Sequence, residues 1–524
     1  MKYIIITILT IFVTTSFAAV KTINPTQTNA QWHSTLNNLE PGDTVYLEDG
    51  VYTNFQVDIR GTGTATNPIL VQARNYGKVF IEGEIGVRVG GNFITVDGLH
   101  FRNGWVTRSG NYSRCIFQFR IGTGNPASNS RLTNCVFDSL FDHRLDHNIR
   151  ANDSWWVGLY HGSNNRVDNN YFGYKLDYGV LMFVDPRNGS QNVQGNHIVE
   201  RNFFGHRPAK PENGVETIRI GDSDRSMWSV GCTIRENIFF RTDGEVEIIS
   251  IKSCDNLIEG NLFFEAAGQV TCRHGHRNTI RNNVFIGNNK NQTSGVRIIN
   301  SDQKIYNNWF QDLRGTGSRS ALSVMNGLDP SCPLNSYYQV KNAEISYNTF
   351  INCQRIEFGS NTSTSGYTCS QNQGVRFPIV DSRFRNNLIF NLTWGQAFDT
   401  VRTNDVPVAT AGITFEGNIY RIHPTAPFAR EGFSLRPALN FEKPTGALFY
   451  ELVAGGPMSC IPVLDGKGGF SEIETLPDVT GNSRQRPYTS GAINAENFGI
   501  PPKIPRLDQV GVSWYNYAKP NLNP

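Results

Sequence analysis

Two carboxylates and three cations stand out in the stretch from Asn213 to Asn308. Glu245 and Glu247 alternate in the run GEVEIISIKS. Alternate residues of a strand share a face, so both carboxylates point the same way, roughly 7 Å apart. Carboxylates so placed repel unless a cation holds them, and calcium, which takes about six to eight oxygens, suits such a pair. Asn213 and Glu216, upstream in NGVETIRIG, could add oxygens. Lys252, Arg273 and Arg297 lie 9, 10 and 11 residues before Asn261, Asn283 and Asn308, the asparagines that close their own repeat units. That spacing predicts one column of like charges, with neighbours about 5 Å apart. Folding gains nothing from such a column, whereas a polyanion would. A solvated basic face is the plainer reading of the cations, but it does not explain the acids beside them. The chain has no EF-hand loop, so the cation site would be assembled across repeats.

One spacing conflicts with this picture. Glu247 and Lys252 differ by five, an odd number, and in an unbroken strand they face opposite sides. If both line one groove, the strand must break between them, and the break is expected near Ile249 to Ile251.

The element that positions these residues is a repeat. CTIRENIFF, NLIEGNLFF, NTIRNNVFI and QKIYNNWF are near-copies of one unit, apolar-x-x-Asn-x-Phe. Its asparagine falls at 134, 170, 202, 237, 261, 283, 308, 348, 387 and 418, with intervals as short as 24, 22 and 25 residues between 237 and 308. A period of that length without helical patterning is what a parallel β-helix needs, three strands and three turns per coil. Longer intervals, above all 308 to 348 and 348 to 387, carry inserted loops. The leucine-rich pattern of similar length is missing. The asparagine column is expected to be structural: each side chain adopts the left-handed turn and bonds its copy on the next coil. The Phe two residues later is expected to point inward and stack.

Around this solenoid, Met1 to Ala19 reads as a secretory signal peptide cut near Ala18 or Ala19, which implies secretion or a periplasmic location. Residues 19–430 read as one β-helix domain and 431–524, rich in Pro and Gly, as its end cap and tail. NAQWHSTLNNLEPGDTVYLEDG predicts a helix that caps the first open coil, then the strand TVYL. A formal charge of +3 with no long basic run argues against nucleic-acid binding. No other segment is apolar enough for a membrane span. Of 9 cysteines none is spaced for zinc; Cys332, Cys353 and Cys369 leave room for one disulfide. Asp142, His143, Asp146 and His147 in DHRLDH have ligand-like types, as do His274 and His276, but an ordinary polar loop accounts for the first group.

The run NGVETIRIG, GEVEIISIKS, RHGH and GVRIIN, with PGDTVYLEDGVY and NFITVDGLHFRNG before it, resembles polysaccharide lyase family 6, the family of alginate lyases and chondroitinase B. The resemblance covers roughly residues 25–400. It implies a right-handed parallel β-helix of the pectin-lyase kind and calcium-assisted β-elimination on an acidic polysaccharide. By residue, it implies Lys252 as general base, Arg273 as general acid, Asn213, Glu245 and Glu247 as calcium ligands with Glu216 beside them, and His274, Arg297 and Arg219 as substrate-binding.

The chemistry is reasonable on its own terms. Removing the proton at C5 of a uronate builds a second negative charge on the carboxylate, and a bound cation stabilises it. A lysine beside other cations and a metal has its pKa pushed down and can act as a base. Arginine gives up its proton with difficulty, so Arg273 is expected to stabilise the leaving O4 and relay a proton from water. Arg297 resembles the alginate-cleaving members, where it would pair with a neighbouring uronate; dermatan sulfate is the alternative polymer. A pectin-type hydrolase would need a pair of acids and leave Lys252 without a role. A non-catalytic carbohydrate-binding β-helix would need neither the metal nor the cations.

Overall fold

The computed structural model describes residues 18–107, 110, 115–188, 191–328, 336–360, 377–394, 398–400, 412–424, 431–454, 476–484, 490–494, 497 and 500–522. The signal-peptide reading of residues 1–17, and Cys332 and Cys369, lie outside these residues. Cys353 is a buried free thiol.

Short parallel strands stack into a β-helix. One face is a 14-stranded sheet that begins at Val20–Ile23 and ends at Ile413–Glu416. The other two faces form a single 26-stranded sheet, because the long strand Val79–Asn92 pairs with Gly50–Thr53 on one face and Gln56–Thr62 on the other. The last parallel pairing joins Asn418–Ile422 to Phe433–Leu435.

The asparagine ladder is present, with two corrections. From Asn170 to Asn387, each ladder asparagine donates its backbone N–H to the side-chain oxygen of the next, through Asn202, Asn237, Asn261, Asn283, Asn308, Asn348 and Asn387 to Asn418, at 2.9–3.0 Å. Asn134 is not a member. Cys135 takes that place and donates its N–H to Asn170 at 2.9 Å, while the Asn134 side chain reaches Asp97. The left-handed turn also falls one residue earlier than expected, on Asn169, Arg201, Glu236, Asn282, Asn307, Tyr347 and Asn386, with Gly260 and Gly417 on their coils. The two tasks are divided: one residue turns the chain, and the next satisfies the turn's buried amides, whose loss would cost about 1–3 kcal/mol each.

The phenylalanines two residues on do stack. Phe172, Phe204, Phe239, Phe263, Phe285, Phe310 and Phe350 form one inner column with centroids 4.6–5.3 Å apart. At the open end, helix Asn29–Leu36 is closed by a capping box on Thr28 and buries Trp32 and Leu36, with Trp32 against Tyr52 and Phe55. The C-terminal residues do more than cap. Val479, Val510, Val512 and Tyr517 pack on an outer apolar stripe that includes Tyr171, Phe203, Ile238 and Leu262, and Trp514 stacks on Tyr76 near the first coils. The tail therefore runs back along the outside of the solenoid. Among the described residues no helix is long and apolar enough to cross a membrane.

A second polar column gives a pH prediction. His197 is buried; its Nδ1 accepts the Asn165 N–H and its Nε2 donates to the Tyr160 carbonyl, an arrangement only the neutral ring can make. Burial pushes its pKa from 6.5 down to about 4. Between those values the unfolded chain binds a proton that the folded chain refuses, so this stability is whole above the unfolded value and is lost as pH falls. At pH 5 the loss is about 2 kcal/mol. Thermal melts at pH 7 and 5 should show a drop in wild type that is smaller in His197→Asn; equal drops would assign the acid sensitivity to other groups.

Candidate active site

Four neighbouring strands of one face carry the candidate residues: β1 (Ile218–Gly221), β2 (Glu247–Lys252), β3 (Gln269–His274) and β4 (Val296–Ile298). In β2 the consecutive residues Ile248 and Ile249, and then Ile251, all lie in the core. Two inward residues in a row convert the odd spacing into a shared outward face for Glu247, Ser250 and Lys252. The pairing of β2 with β3 slips where this requires, between Glu247 and Ile249, and slips again between Ile251 and Lys252, where Arg273 is the extra residue on β3. The expected break exists as two β-bulges that flank the span Ile249–Ile251.

The single column of cations does not exist. Arg219, Ser250, Thr271 and Arg297 are in register, whereas Lys252 is in register with Gly221 and His274. Distances counted back from the asparagine ladder ignore these bulges; the steps of 9, 10 and 11 residues were the offsets between columns.

The cations converge on carboxylates instead. Glu247 is buried, and burial alone would raise its pKa. Arg297, Lys252 and Arg273 outweigh that, with a Ser250 hydrogen bond, and hold it below the ordinary carboxylate range. Arg297 donates to Glu247 Oε1 and Ser250 to Oε2; Arg273 Nε is 3.8 Å from Oε1. Glu216 Oε1 is 3.5 Å from Lys252 Nζ and 3.9 Å from Arg219, while its buried Oε2 makes no hydrogen bond. Glu245 is pushed up to about 9 by burial, then by Glu216 and Glu247, against the pull of Lys252.

These carboxylates fit a hard divalent cation. Glu216 offers a buried unsatisfied oxygen, and Glu245 is destabilised as an anion by the neighbours that a cation would neutralise. Glu247 is already engaged by Arg297, and the Asn213 side chain is exposed. Among the described residues no three His, Cys, Asp or Glu side chains are gathered as a closed metal cage would gather them.

The remaining residues are placed as follows. Arg273 donates to the Ser336 carbonyl at 3.3 Å and lies over the Tyr337 ring, so the insertion between Asn308 and Asn348 reaches the site. His274 is 1 % exposed, not presented to the groove as expected of a substrate contact; its Nδ1 faces Arg273 at 3.4 Å and its Nε2 has no partner. Burial, with Arg273, Lys252 and Arg297, keeps it neutral. His274 continues the inward alternation of Val270 and Cys272 and is buried with them. Arg297 is also buried, and Arg219 lies against the rings of Phe183 and Trp155. His276 bonds Ser301, away from a zinc role. In DHRLDH, Asp142 pairs with Arg144 and His143 packs on Trp105, as an ordinary loop would. Sequence spacing missed Ser250, which the alternation from Lys252 could have shown, and Tyr337, which no local pattern marks. A cavity of about 570 Å³ between the tail and the turns near Arg235 and Glu259 shares no residue with the site.

The Chondroitinase B family model matches residues 26–451. Among solved structures, the chain is 33% identical to a mannuronic acid specific polysaccharide family 6 lyase enzyme from human gut microbiota, over 79% of this chain and 90% of that chain, with a TM-score of 0.70. It is 30% identical to the PL6 family alginate lyase AlyGC, over 96% of this chain but 60% of that chain, with a TM-score of 0.75. A PL6 alginate lyase in complex with a trisaccharide, 23% identical with a TM-score of 0.65, shares the fold. Comparison with curated proteins gives no match.

Glu245→Gln tests the cation fit without any substrate. Burial and the neighbouring Glu216 and Glu247 disfavour the charged form of Glu245, so at pH 7 in EDTA the variant should melt within about 2 °C of wild type. Calcium should raise the melting temperature of wild type alone. A variant that melts well below wild type in EDTA would show that the protein itself satisfies this carboxylate.

Proposed function

The chain belongs to polysaccharide lyase family 6, and from that premise we propose that it cleaves alginate by calcium-assisted β-elimination, with Lys252 as base. The observation that carries this reading is that Lys252 and Arg273 both approach one carboxylate cluster, 3.5 Å from Glu216 and 3.8 Å from Glu247. Calcium, held by Glu216, Glu245 and Glu247 with Asn213 at the rim, would supply positive charge to the uronate carboxylate and so make its C5 proton more acidic.

The side chains account for the rest. The Lys252 amine takes the C5 proton, the electron pair forms the C4–C5 double bond, and the C4–O4 bond breaks. Arg273, fixed by Ser336 and Tyr337, faces the leaving O4 with fixed positive charge, and an ordered water gives the oxygen its proton. His274, neutral and buried, does not compete for that proton. The product is an unsaturated uronate at the new non-reducing end.

The choice of alginate leans on the two relatives at 30% identity or more, a mannuronate-specific enzyme and an alginate lyase. Arg297 no longer supports it, because its guanidinium is spent on Glu247 rather than offered to a sugar. The family model's own description favours a second reading, a chondroitinase B-like lyase on dermatan sulfate.

The test is absorbance of the unsaturated uronate after incubation with alginate, dermatan sulfate or pectate, in calcium or EDTA. Alginate with calcium should give a signal. Lys252→Ala should lower it by about four orders of magnitude with an unchanged melting temperature. A signal on dermatan sulfate alone selects the second reading. Silence on all three polymers points to a carbohydrate-binding solenoid.

A further inference from the structure

Arg207 is fully buried, and none of its hydrogen bonds goes to a carboxylate. Its Nη1 donates to the backbone carbonyl of Glu216 at 2.7 Å and its Nη2 to that of Gly179 at 2.5 Å. Its own carbonyl accepts the Asp243 N–H at 2.9 Å, two residues before Glu245. Gly244 fits against it only because it lacks a side chain: a Cβ there would lie 3.0 Å from Arg207 Nε and 2.5 Å from the Val215 carbonyl. Val215 in turn donates its N–H to the Glu245 carboxylate. Arg207 therefore touches the chain on both sides of the candidate cation site, with its guanidinium at Glu216 and with its main chain and Nε edge at the turn into Glu245.

A permanent charge buried without a paired anion is costly, and a neutral amide could tie the same two carbonyls. The acids whose charge favours the Arg207 cation are Asp177, Glu216 and Glu245, against the neighbouring cations of Lys175 and Lys210. Asp177 is already taken by Lys175 at 2.6 Å and by the Ser154 hydroxyl. The other two acids that act on Arg207 belong to the carboxylate cluster.

We propose that Arg207 is a positioning residue, which holds the Glu216 and Glu245 segments at the separation that lets their carboxylates share one divalent cation. This rests on the calcium reading above, and the two can fail separately. Residues that orient metal ligands from behind typically change metal affinity by about 10- to 100-fold when removed.

The experiment is calorimetric titration of the full chain with calcium, alongside melting temperature in EDTA, for wild type, Arg207→Lys, Arg207→Met and Gly244→Ala. Arg207→Met should bind calcium at least about tenfold more weakly, and Arg207→Lys, which keeps the charge and some donors, should recover part of the loss. Gly244→Ala, which keeps Arg207 and displaces the Glu245 turn, should weaken binding by about tenfold and serves if Arg207→Met does not fold. Calcium affinity within about twofold of wild type in either folded variant overturns the proposal, whatever the melting temperatures do. Wild type that binds no calcium defeats the calcium reading and this inference with it.

Discussion

The repulsion among three neighbouring carboxylates sets the terms for everything around them. Glu216, Glu245 and Glu247 come from adjacent coils, and coils stack at a spacing fixed by backbone hydrogen bonds, about 4.8 Å. The asparagine ladder and the phenylalanine column lock that spacing from inside, so the acids cannot separate to relieve their repulsion. The chain answers with charge: Arg297 and Arg273 on Glu247, Lys252 and Arg219 near Glu216. Among the described residues Glu245 has no such ion pair, and burial with Glu216 and Glu247 pushes its pKa up. A rigid solenoid can sustain this imbalance because many coils elsewhere share the stabilisation.

The same rigidity makes the site specific in shape. Bulges at Ile248 and Arg273 are small departures from a regular stack, yet they decide which side chains face out. The first brings Glu247 and Lys252 to one face. The second, with Arg273 as the extra residue, sets Lys252 in register with His274. The inserted loop after Asn308 then fixes Arg273 through Ser336 and Tyr337. Core packing, strand irregularity and loop insertion each place a different member of the site.

Much of this was legible in the chain itself. The Asn-x-Phe period gave the coil length, and the odd step from Glu247 to Lys252 demanded an irregular strand. What misled was counting. Distances measured from the ladder treat every coil as the same length, so three cations in different registers were merged into one column. Asn134 matched the pattern by one residue's accident, because an asparagine also suits the left-handed turn beside the ladder. His274 was expected to meet substrate only because of the motif it stands in; the inward alternation of Val270 and Cys272 already pointed to its burial. Arg207 left no trace, since its partners Gly179 and Glu216 are backbone carbonyls of segments that only the fold brings together.

We propose that the carboxylate cluster takes a divalent cation. Anomalous diffraction from crystals soaked in terbium tests it directly. One strong peak is expected within about 2.6 Å of carboxylate oxygens of Glu245 and at least one of Glu216 and Glu247. A peak elsewhere on the solenoid, with these carboxylates unchanged and bare, would contradict it.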